Sequence, residues 1–163
     1  MNPNEIMPRA ERVIHLIEFK NVSKTYPNGV KGLKNVNLTI DQGEFVAIIG
    51  ASGSGKSTLM NILGCLDRPS AGEFWIDGKN VAGLNADQRA RLRNQRIGFV
   101  FQNFNLLPRT SALENVMMPA YYAHPARSTK EIRKRALELI DLVGLTERMH
   151  HTPAQLSGGQ QQR

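Results

Sequence analysis

Apolar and polar residues alternate in three short segments of the first half of the chain. These segments are IEFKNV (17–22), NVNLTI (35–40) and GEFWIDG (72–78). Strict alternation is typical of a strand with one buried face. YPNGVKG, between the first two segments, and Asp77-Gly78, at the end of the third, are turn signals. The pattern therefore predicts a small antiparallel β layer.

Two further segments are apolar without alternation: FVAII (45–49) and IGFVF (97–101). A continuous apolar run is expected of a parallel strand that is covered on both faces. The first run leads through a glycine-rich bend into KSTLMNILGCL (56–66), which has the pattern of a helix. We therefore predict two buried parallel strands, the first of them followed by a helix.

The second half of the chain has a helical pattern. Ser111 with Glu114, and Ser128 with Glu131, match the capping box that begins many helices. After the second box, one helical face collects the apolar residues, and Gly144 is a natural stop. The residues predicted on this face are Ile132, Ala136, Leu139, Ile140 and Val143.

Composition limits the possible classes of protein. The chain has 163 residues, of which 40% are hydrophobic and 21% charged, as in ordinary globular domains. We find no apolar run of the roughly 20 residues that a membrane-spanning helix needs. Residues 1–12 lack the apolar segment of a secretory signal and are interpreted as a short flexible tail. These features fit the cytosol.

The single cysteine, Cys65, excludes an internal disulfide and a multi-cysteine zinc site. We expect it to be a small buried hydrophobe. The formal net charge of +7 suits nucleic acid, an anionic membrane surface, nucleotide phosphates or merely solvated basic faces. Charge alone does not choose among these possibilities.

The sequence GASGSGKST (50–58) fits the phosphate-binding pattern G-x-x-x-x-G-K-[ST]. Its glycines let backbone N–H groups turn inward around a phosphate, and the helix that follows adds its positive end. In this pattern Lys56 reaches the β- and γ-phosphates and the Ser57 hydroxyl binds Mg²⁺. We predict a nucleoside triphosphate site formed by Gly50, Ser52, Gly53, Ser54, Gly55, Lys56, Ser57 and Thr58.

Three other motifs extend this interpretation. LSGGQ (156–160) resembles the signature of ATP-binding-cassette (ABC) ATPases. Tyr26, in VSKTYPNG, resembles the aromatic residue of that family that stacks on adenine. Gln102, which ends IGFVFQ, resembles the glutamine whose loop joins the core to a helical subdomain.

The resemblance implies an α/β fold of the P-loop NTPase class. An ABC cassette carries an antiparallel β layer and a helical subdomain. We expect its central sheet to be incomplete here, because the C-terminal third of such a cassette is missing. The predicted division is a tail over 1–12 and a truncated cassette over 13–163, with core and β layer over 13–101, helical subdomain over 102–153 and signature segment over 154–163.

The resemblance also implies a mechanism in which two cassettes associate head to tail around two ATP molecules. Lys56 and Gln102 are the implied catalytic residues, and Ser57 and Gln102 the implied Mg²⁺ contacts. The signature residues of one copy cap the γ-phosphate bound to the other, with a helix beginning at Gln160. Those residues are Ser157, Gly158, Gly159 and Gln160.

The sequence of residues 50–78 and 96–116 resembles the branch of ABC ATPases that powers lipoprotein release and macrolide export. This implies an integral membrane permease as partner, contacted near residues 103–108, and a place on the cytoplasmic face of the membrane. Transport is then export, or extraction of a lipoprotein or peptide. No nucleic acid is expected as a partner.

Three family residues do not occur before Arg163: the aspartate and the glutamate that end a buried strand, and a later histidine. We therefore expect that residues 1–163 by themselves do not hydrolyse ATP, that they expose an unpaired strand edge, and that they are poorly stable.

One alternative is a non-transport ABC ATPase that acts on DNA or ribosomes, with RARLRNQR (89–96) as its nucleic-acid candidate. That segment is interpreted instead as an exposed helix. Another alternative is a degenerate cassette that binds ATP and only regulates.

Overall fold

The computed structural model describes residues 15–163, so the predicted tail lies outside the described residues. The chain divides into two compact units, the first ending at Leu84 and the second spanning Asn85–Arg163. This division falls before the predicted limit between core and helical subdomain at residue 101, and the finer bounds stay predictions.

The first unit contains an antiparallel sheet of strands β1 (Ile17–Thr25), β2 (Lys31–Ile40), β3 (Ala71–Ile76) and β4 (Lys79–Asn80). Its strand order is β2-β1-β3-β4. Phe19 of β1 lies opposite Leu38 on one side and Phe74 on the other. The rings of Phe19 and Phe74 meet edge to face with centroids 4.6 Å apart, and both are buried. The predicted antiparallel layer is confirmed.

The described part of the first unit also contains one helix, α1 (Lys56–Leu63). It begins directly after the glycine-rich bend, as predicted, and Ile62 is its fully buried residue. Cys65 follows the helix and is 2% exposed, which confirms that it is a buried thiol.

The two predicted parallel strands are absent among the described residues, so this part of the prediction is wrong. Residues 44–50 and 97–100 have no regular secondary structure, and a turn begins at residue 102. Phe45 is 97% exposed and Val100 is 88% exposed. A strand needs a neighbour for its N–H and C=O groups, and no strand within residues 15–163 is paired with either segment.

The second unit is helical. It contains α2 (Ala86–Arg96), α3 (Ala112–Tyr121), α4 (Thr129–Leu142) and α5 (Gly158–Gln162), with 3₁₀ turns at Thr146–Arg148 and Pro153–Gln155. The helix α2 has no buried residue, in agreement with the exposed helix predicted over 89–96. None of the helices within 15–163 is long and apolar enough to cross a membrane.

Helices α3 and α4 pack around one apolar cluster. Both predicted capping boxes are present, with Ser111 and Ser128 as the N-caps. The helix α4 ends just before Gly144, whose φ of 66° is left-handed and suits glycine. The buried residues of the cluster are Leu113, Met117, Ile132, Ala136, Ile140 and Leu145. Of the face predicted for α4, Leu139 is 37% exposed and lies outside this buried set.

Candidate nucleotide-binding site

The phosphate loop is a sharp bend that ends in the first turn of α1. Gly55 is the N-cap of the helix and has a φ of 92°, and Gly53 has a φ of 79°. Both values lie in the left-handed region that residues with a Cβ atom rarely adopt. A Cβ atom on Gly55 would also overlap the carbonyl oxygen of Gly32. The loop therefore needs glycine at position 55 for two independent reasons.

The Lys56 side chain is hydrogen-bonded to the loop that precedes it. Its Nζ donates hydrogen bonds to the carbonyl oxygens of Gly50 and Ala51, each at 2.7 Å. The first turn of α1 contains no acidic residue. An ammonium group and the N-terminus of a helix thus meet at one loop, which is an arrangement that attracts an anion.

Tyr26 lies beside the same helix. Its hydroxyl is 3.2 Å from Thr58 Oγ1, in the first turn of α1. The turn that carries it is pinned by two backbone bonds of 2.9 Å, from Tyr26 N to Val30 O and from Gly29 N to Tyr26 O. A Cβ atom on Gly32 would come within 2.9 Å of the tyrosine ring and 2.8 Å of the Thr58 hydroxyl. The first unit therefore brings the predicted base-stacking residue to the predicted phosphate loop.

The donors fit a magnesium nucleotide. Ser57 is exposed in the first turn of α1, where its hydroxyl can serve as a ligand. Within residues 15–163, no group of three or more His, Cys, Asp or Glu side chains could hold a metal ion. Because Mg²⁺ in nucleotide sites is held by a few protein oxygens together with phosphate oxygens, one hydroxyl at the loop is the donor set expected there.

Gln102 lies in the second unit, in an exposed turn that precedes α3. Phe104 and Asn105, close behind it, have left-handed φ values of 50° and 54°. The loop then runs to α3, where Asn115 binds it: Leu107 N donates to Asn115 Oδ1 at 2.9 Å, and Asn115 Nδ2 donates to Thr110 Oγ1 at 2.8 Å. Sequence reasoning missed this role of Asn115.

The signature residues also belong to the second unit and form the start of α5. This helix begins at Gly158, two residues before the predicted start at Gln160, because the N-cap is Ser157. Ser157 Oγ accepts a bond from Gln160 N at 3.3 Å, and Gln160 Oε1 accepts one from Ser157 N at 2.9 Å. Ser157, Gly158 and Gly159 are exposed.

A second missed residue holds this segment in place. Gln161 Nε2 donates to the carbonyl oxygens of Pro153 and Leu156, both at 3.0 Å. Leu156 is 7% exposed and anchors the segment below its exposed cap. The signature residues are therefore exposed at the start of a helix that is held in place by the bonds of Gln161 and by buried Leu156. The sequence signal for this role was a glutamine one position beyond the signature, but the carbonyl groups that it binds are determined by the fold.

Comparisons with known proteins agree with this geometry. The family model for ABC transporters matches residues 33–163. The macrolide export ATP-binding/permease protein MacB of Escherichia coli is 58% identical over 151 residues, which cover 91% of this chain and 23% of that protein. MacB of Syntrophobacter fumaroxidans is 56% identical over 151 residues, covering 91% of this chain and 21% of that protein. The chain thus spans less than a quarter of the length of these relatives.

Solved structures of ABC cassettes are also similar to this chain. The ATP-binding cassette MJ0796, in a dimeric post-hydrolysis state bound to ADP and Pi, superimposes with a TM-score of 0.79 at 51% identity, covering 89% of this chain and 65% of that one. A second dimeric structure of MJ0796, described as a bacterial ABC transporter cassette, gives a TM-score of 0.78 at the same identity and coverage. The predicted α/β cassette fold is confirmed by these neighbours. With its phosphate loop, its signature segment and these relatives, the chain belongs to the ABC transporter family.

Proposed function

We propose that this chain is the ATP-binding cassette of a transporter, in which binding and hydrolysis of ATP drive a permease in the membrane. The observation that carries the proposal is the joining of Tyr26 and the phosphate loop within one compact unit. Such a unit offers a flat ring for a base and an ammonium with helix N–H groups for a polyphosphate. The adenine nucleotide lies with its base on Tyr26 and its phosphates around Lys56.

Each predicted residue has a task in this proposal. Lys56 leaves the two loop carbonyls and pairs with the β- and γ-phosphate oxygens, which is possible because a lysine stem is flexible. The Ser57 hydroxyl binds Mg²⁺, which neutralises phosphate charge when it is bound. Gln102 orients the attacking water. Lys56 and Ser57 thus bind the nucleotide, and the first turn of α1 contains no acidic residue that could take a proton from water.

The signature acts on a second copy. Ser157, Gly158 and Gly159 are exposed at a helix start, where backbone N–H groups and the helix dipole favour an anion. We infer that they cap the γ-phosphate held by the loop of a partner cassette, in a head-to-tail dimer. The dimeric MJ0796 structures support an association of two cassettes.

The names of the relatives support a partner in the membrane. Their names combine an ATP-binding part with a permease and specify macrolide export. We propose that the cassette works at the cytoplasmic face of the membrane with a permease of this kind, exporting a macrolide-like compound or extracting a lipoprotein or peptide. The names of these relatives favour this function over action on DNA or ribosomes.

The experiment is a calorimetric titration of the full-length protein with Mg-ATP, followed by phosphate release from the same preparation. We expect saturable binding by the wild type and at least tenfold weaker binding by Lys56→Ala, because a charge-assisted contact to phosphate is lost (about 1.4 kcal/mol per tenfold). Equal affinity of the two proteins would contradict the proposal. For residues 1–163 expressed alone, absence of hydrolysis stays a prediction, and phosphate release well above that of Lys56→Ala would overturn it.

A further inference from the structure

A buried cation lies under the ring of Tyr26. Among the described residues, Lys24 is the charged side chain that is buried, with 9% of its surface exposed. Its Nζ donates to Asp67 Oδ1 at 2.6 Å and to the carbonyl oxygen of Arg68 at 2.9 Å. The same ammonium is 5.2 Å from the centroid of the Tyr26 ring, within the range of a cation–π contact.

The position of Lys24 in the strand makes this burial unusual. Residues of β1 that face the core, Phe19 and Val22, are apolar, and Lys24 is the next buried residue of the strand. The Asp67 side chain is 32% exposed, so the pair is partly buried, and the cost of removing the Lys24 ammonium from water can exceed its attraction to Asp67. Stability of the fold therefore does not explain a lysine at this position, whereas a role in holding the Tyr26 ring does.

Lys24 and its partner are tied to the phosphate loop through one continuous segment. Asp67 lies in the loop that follows α1, and this loop is bonded to the end of β1: Ser70 N donates to Ser23 O at 2.8 Å, and Thr25 N donates to Ser70 Oγ at 3.0 Å. Residues 50–70 thus supply both the phosphate loop and the anchor of the Lys24 ammonium.

We propose that the Lys24–Asp67 pair is a positioning device that fixes the ring of Tyr26 for stacking against the base of the nucleotide. This inference rests on the proposed function, because it takes Tyr26 as the base site. The ring is held by Thr58 at its hydroxyl, by the close approach of Gly32 at its edge and by the Lys24 ammonium at one face. The hydroxyl is engaged by Thr58, so Tyr26 offers the base a ring face.

This device should act on the base and not on the phosphates. A ring that is fixed before binding loses less conformational freedom when a base stacks on it, which raises affinity. A bare polyphosphate has no base and gains nothing from the orientation of Tyr26. Lys24 is therefore expected to affect ATP and inorganic tripolyphosphate differently.

The test measures dissociation constants of the full-length protein for Mg-ATP and for Mg-tripolyphosphate by calorimetry. Lys24→Met is expected to weaken ATP binding about fivefold and to leave tripolyphosphate binding unchanged. The matched control is Lys20→Met. Lys20 is on the same strand, with its Nζ 5.6 Å from the Trp75 ring centroid and 3.1 Å from Glu18 Oε2, and it has no contact with Tyr26 among the described bonds. It should change neither constant.

A double-mutant cycle with Tyr26→Leu separates positioning from general support of the fold. If Lys24 acts through the ring, Lys24→Met has no further effect on ATP affinity in the Tyr26→Leu background. If Lys24→Met fails to fold, the variant that combines Lys24→Met with Asp67→Asn removes both charges and takes its place, with the same expected result.

Two results would overturn the inference: equal weakening of ATP and tripolyphosphate binding by Lys24→Met, or an effect on ATP that persists without the ring. Failure of the proposed function would give different results. If Lys56→Ala binds both ligands as the wild type does, the phosphate site is wrong. If Tyr26→Leu leaves ATP affinity unchanged while Lys56→Ala abolishes it, the base site is wrong, and the inference about Lys24 is wrong with it.

Discussion

The hydroxyl of Tyr26 lies 3.2 Å from the Oγ1 atom of Thr58, which joins the turn after β1 to the first turn of α1. Thr58 stands two residues after Lys56, so the contact links the proposed base site to the proposed phosphate site at its first helical turn. The contact therefore fixes the Tyr26 turn against the first turn of α1, next to the proposed phosphate site.

Tyr26→Phe separates the anchor from the stacking surface. The variant loses the bond to Thr58 but keeps the ring, so we expect the free energy of unfolding to fall by about 0.5–1.5 kcal/mol. ATP affinity should change by less than about threefold, since stacking is retained. Chemical denaturation and calorimetry measure the two quantities. A loss of ATP affinity as large as that of Tyr26→Leu would show that the hydroxyl, and not the ring, carries the contact.

Gly55→Ala should destroy the phosphate loop. The new Cβ atom would overlap the carbonyl oxygen of Gly32, in a residue whose φ is 92°. We expect ATP affinity to fall more than about tenfold, which corresponds to about 1.4 kcal/mol of binding free energy.

Gly43→Ala is the matched control for the glycine test. Gly43 has a φ of 85°, and a Cβ atom there would meet nothing within 4 Å. Strain alone should cost this variant roughly 1–2 kcal/mol of stability and leave ATP affinity unchanged. Equal losses of affinity in the two variants would show that the loop does not depend on the close approach at Gly55.

Local motifs were the part of the molecule that the sequence predicted well. The glycine-rich bend before α1, the start of α1 and the boxes at Ser111 and Ser128 each depend on residues within a few positions of one another. The strand predicted over 45–49 failed, because a strand depends on a neighbour that its own residues do not specify. Asn115, Gln161 and Lys24 were missed for a related reason: their partners are chosen by the fold, and Asp67 is 43 positions from Lys24.

Glu131 gives a prediction about pH. Hydrogen bonds from the Ser128 hydroxyl at 2.7 Å and the Ser128 backbone N–H at 2.9 Å hold the pKa of Glu131 below its ordinary value of 4.5. A carboxyl group whose pKa is lowered by folding contributes full stability above its unfolded pKa and loses it as the pH falls through its folded pKa. The cap of α4 should therefore weaken in acid below about pH 4.5.

Ser128→Ala checks this cause by carbon-detected NMR titration of the carboxyl groups. The variant should move the pKa of Glu131 upward, toward its ordinary value. Glu114 is the internal control, since the backbone N–H and the hydroxyl of Ser111 lower its pKa in the same way at the other box. An unmoved Glu131, or an equal shift of Glu114, would exclude the Ser128 bonds as the cause.

Asn115→Leu should loosen the loop that follows Gln102. The substitution removes the acceptor of the Leu107 N–H, at 2.9 Å, and the donor to Thr110. We expect faster hydrogen exchange in peptides covering residues 103–111, with exchange in α4 unchanged. Asn94→Ala is the matched control, because it also removes a side-chain bond to a backbone carbonyl of α3, at 2.8 Å from Pro119 O. If this control speeds exchange of the loop equally, Asn115 is not its specific anchor.

The most direct test of the central claim is photolabelling of the full-length protein with 8-azido-ATP, followed by tryptic mapping of the modified residue. The label is on the base, so it reports what the base touches. We predict that it attaches within Thr25–Lys31, the tryptic peptide that contains Tyr26, and that excess ATP or Lys56→Ala prevents it. ATP-protected labelling confined to residues outside that peptide would contradict the account.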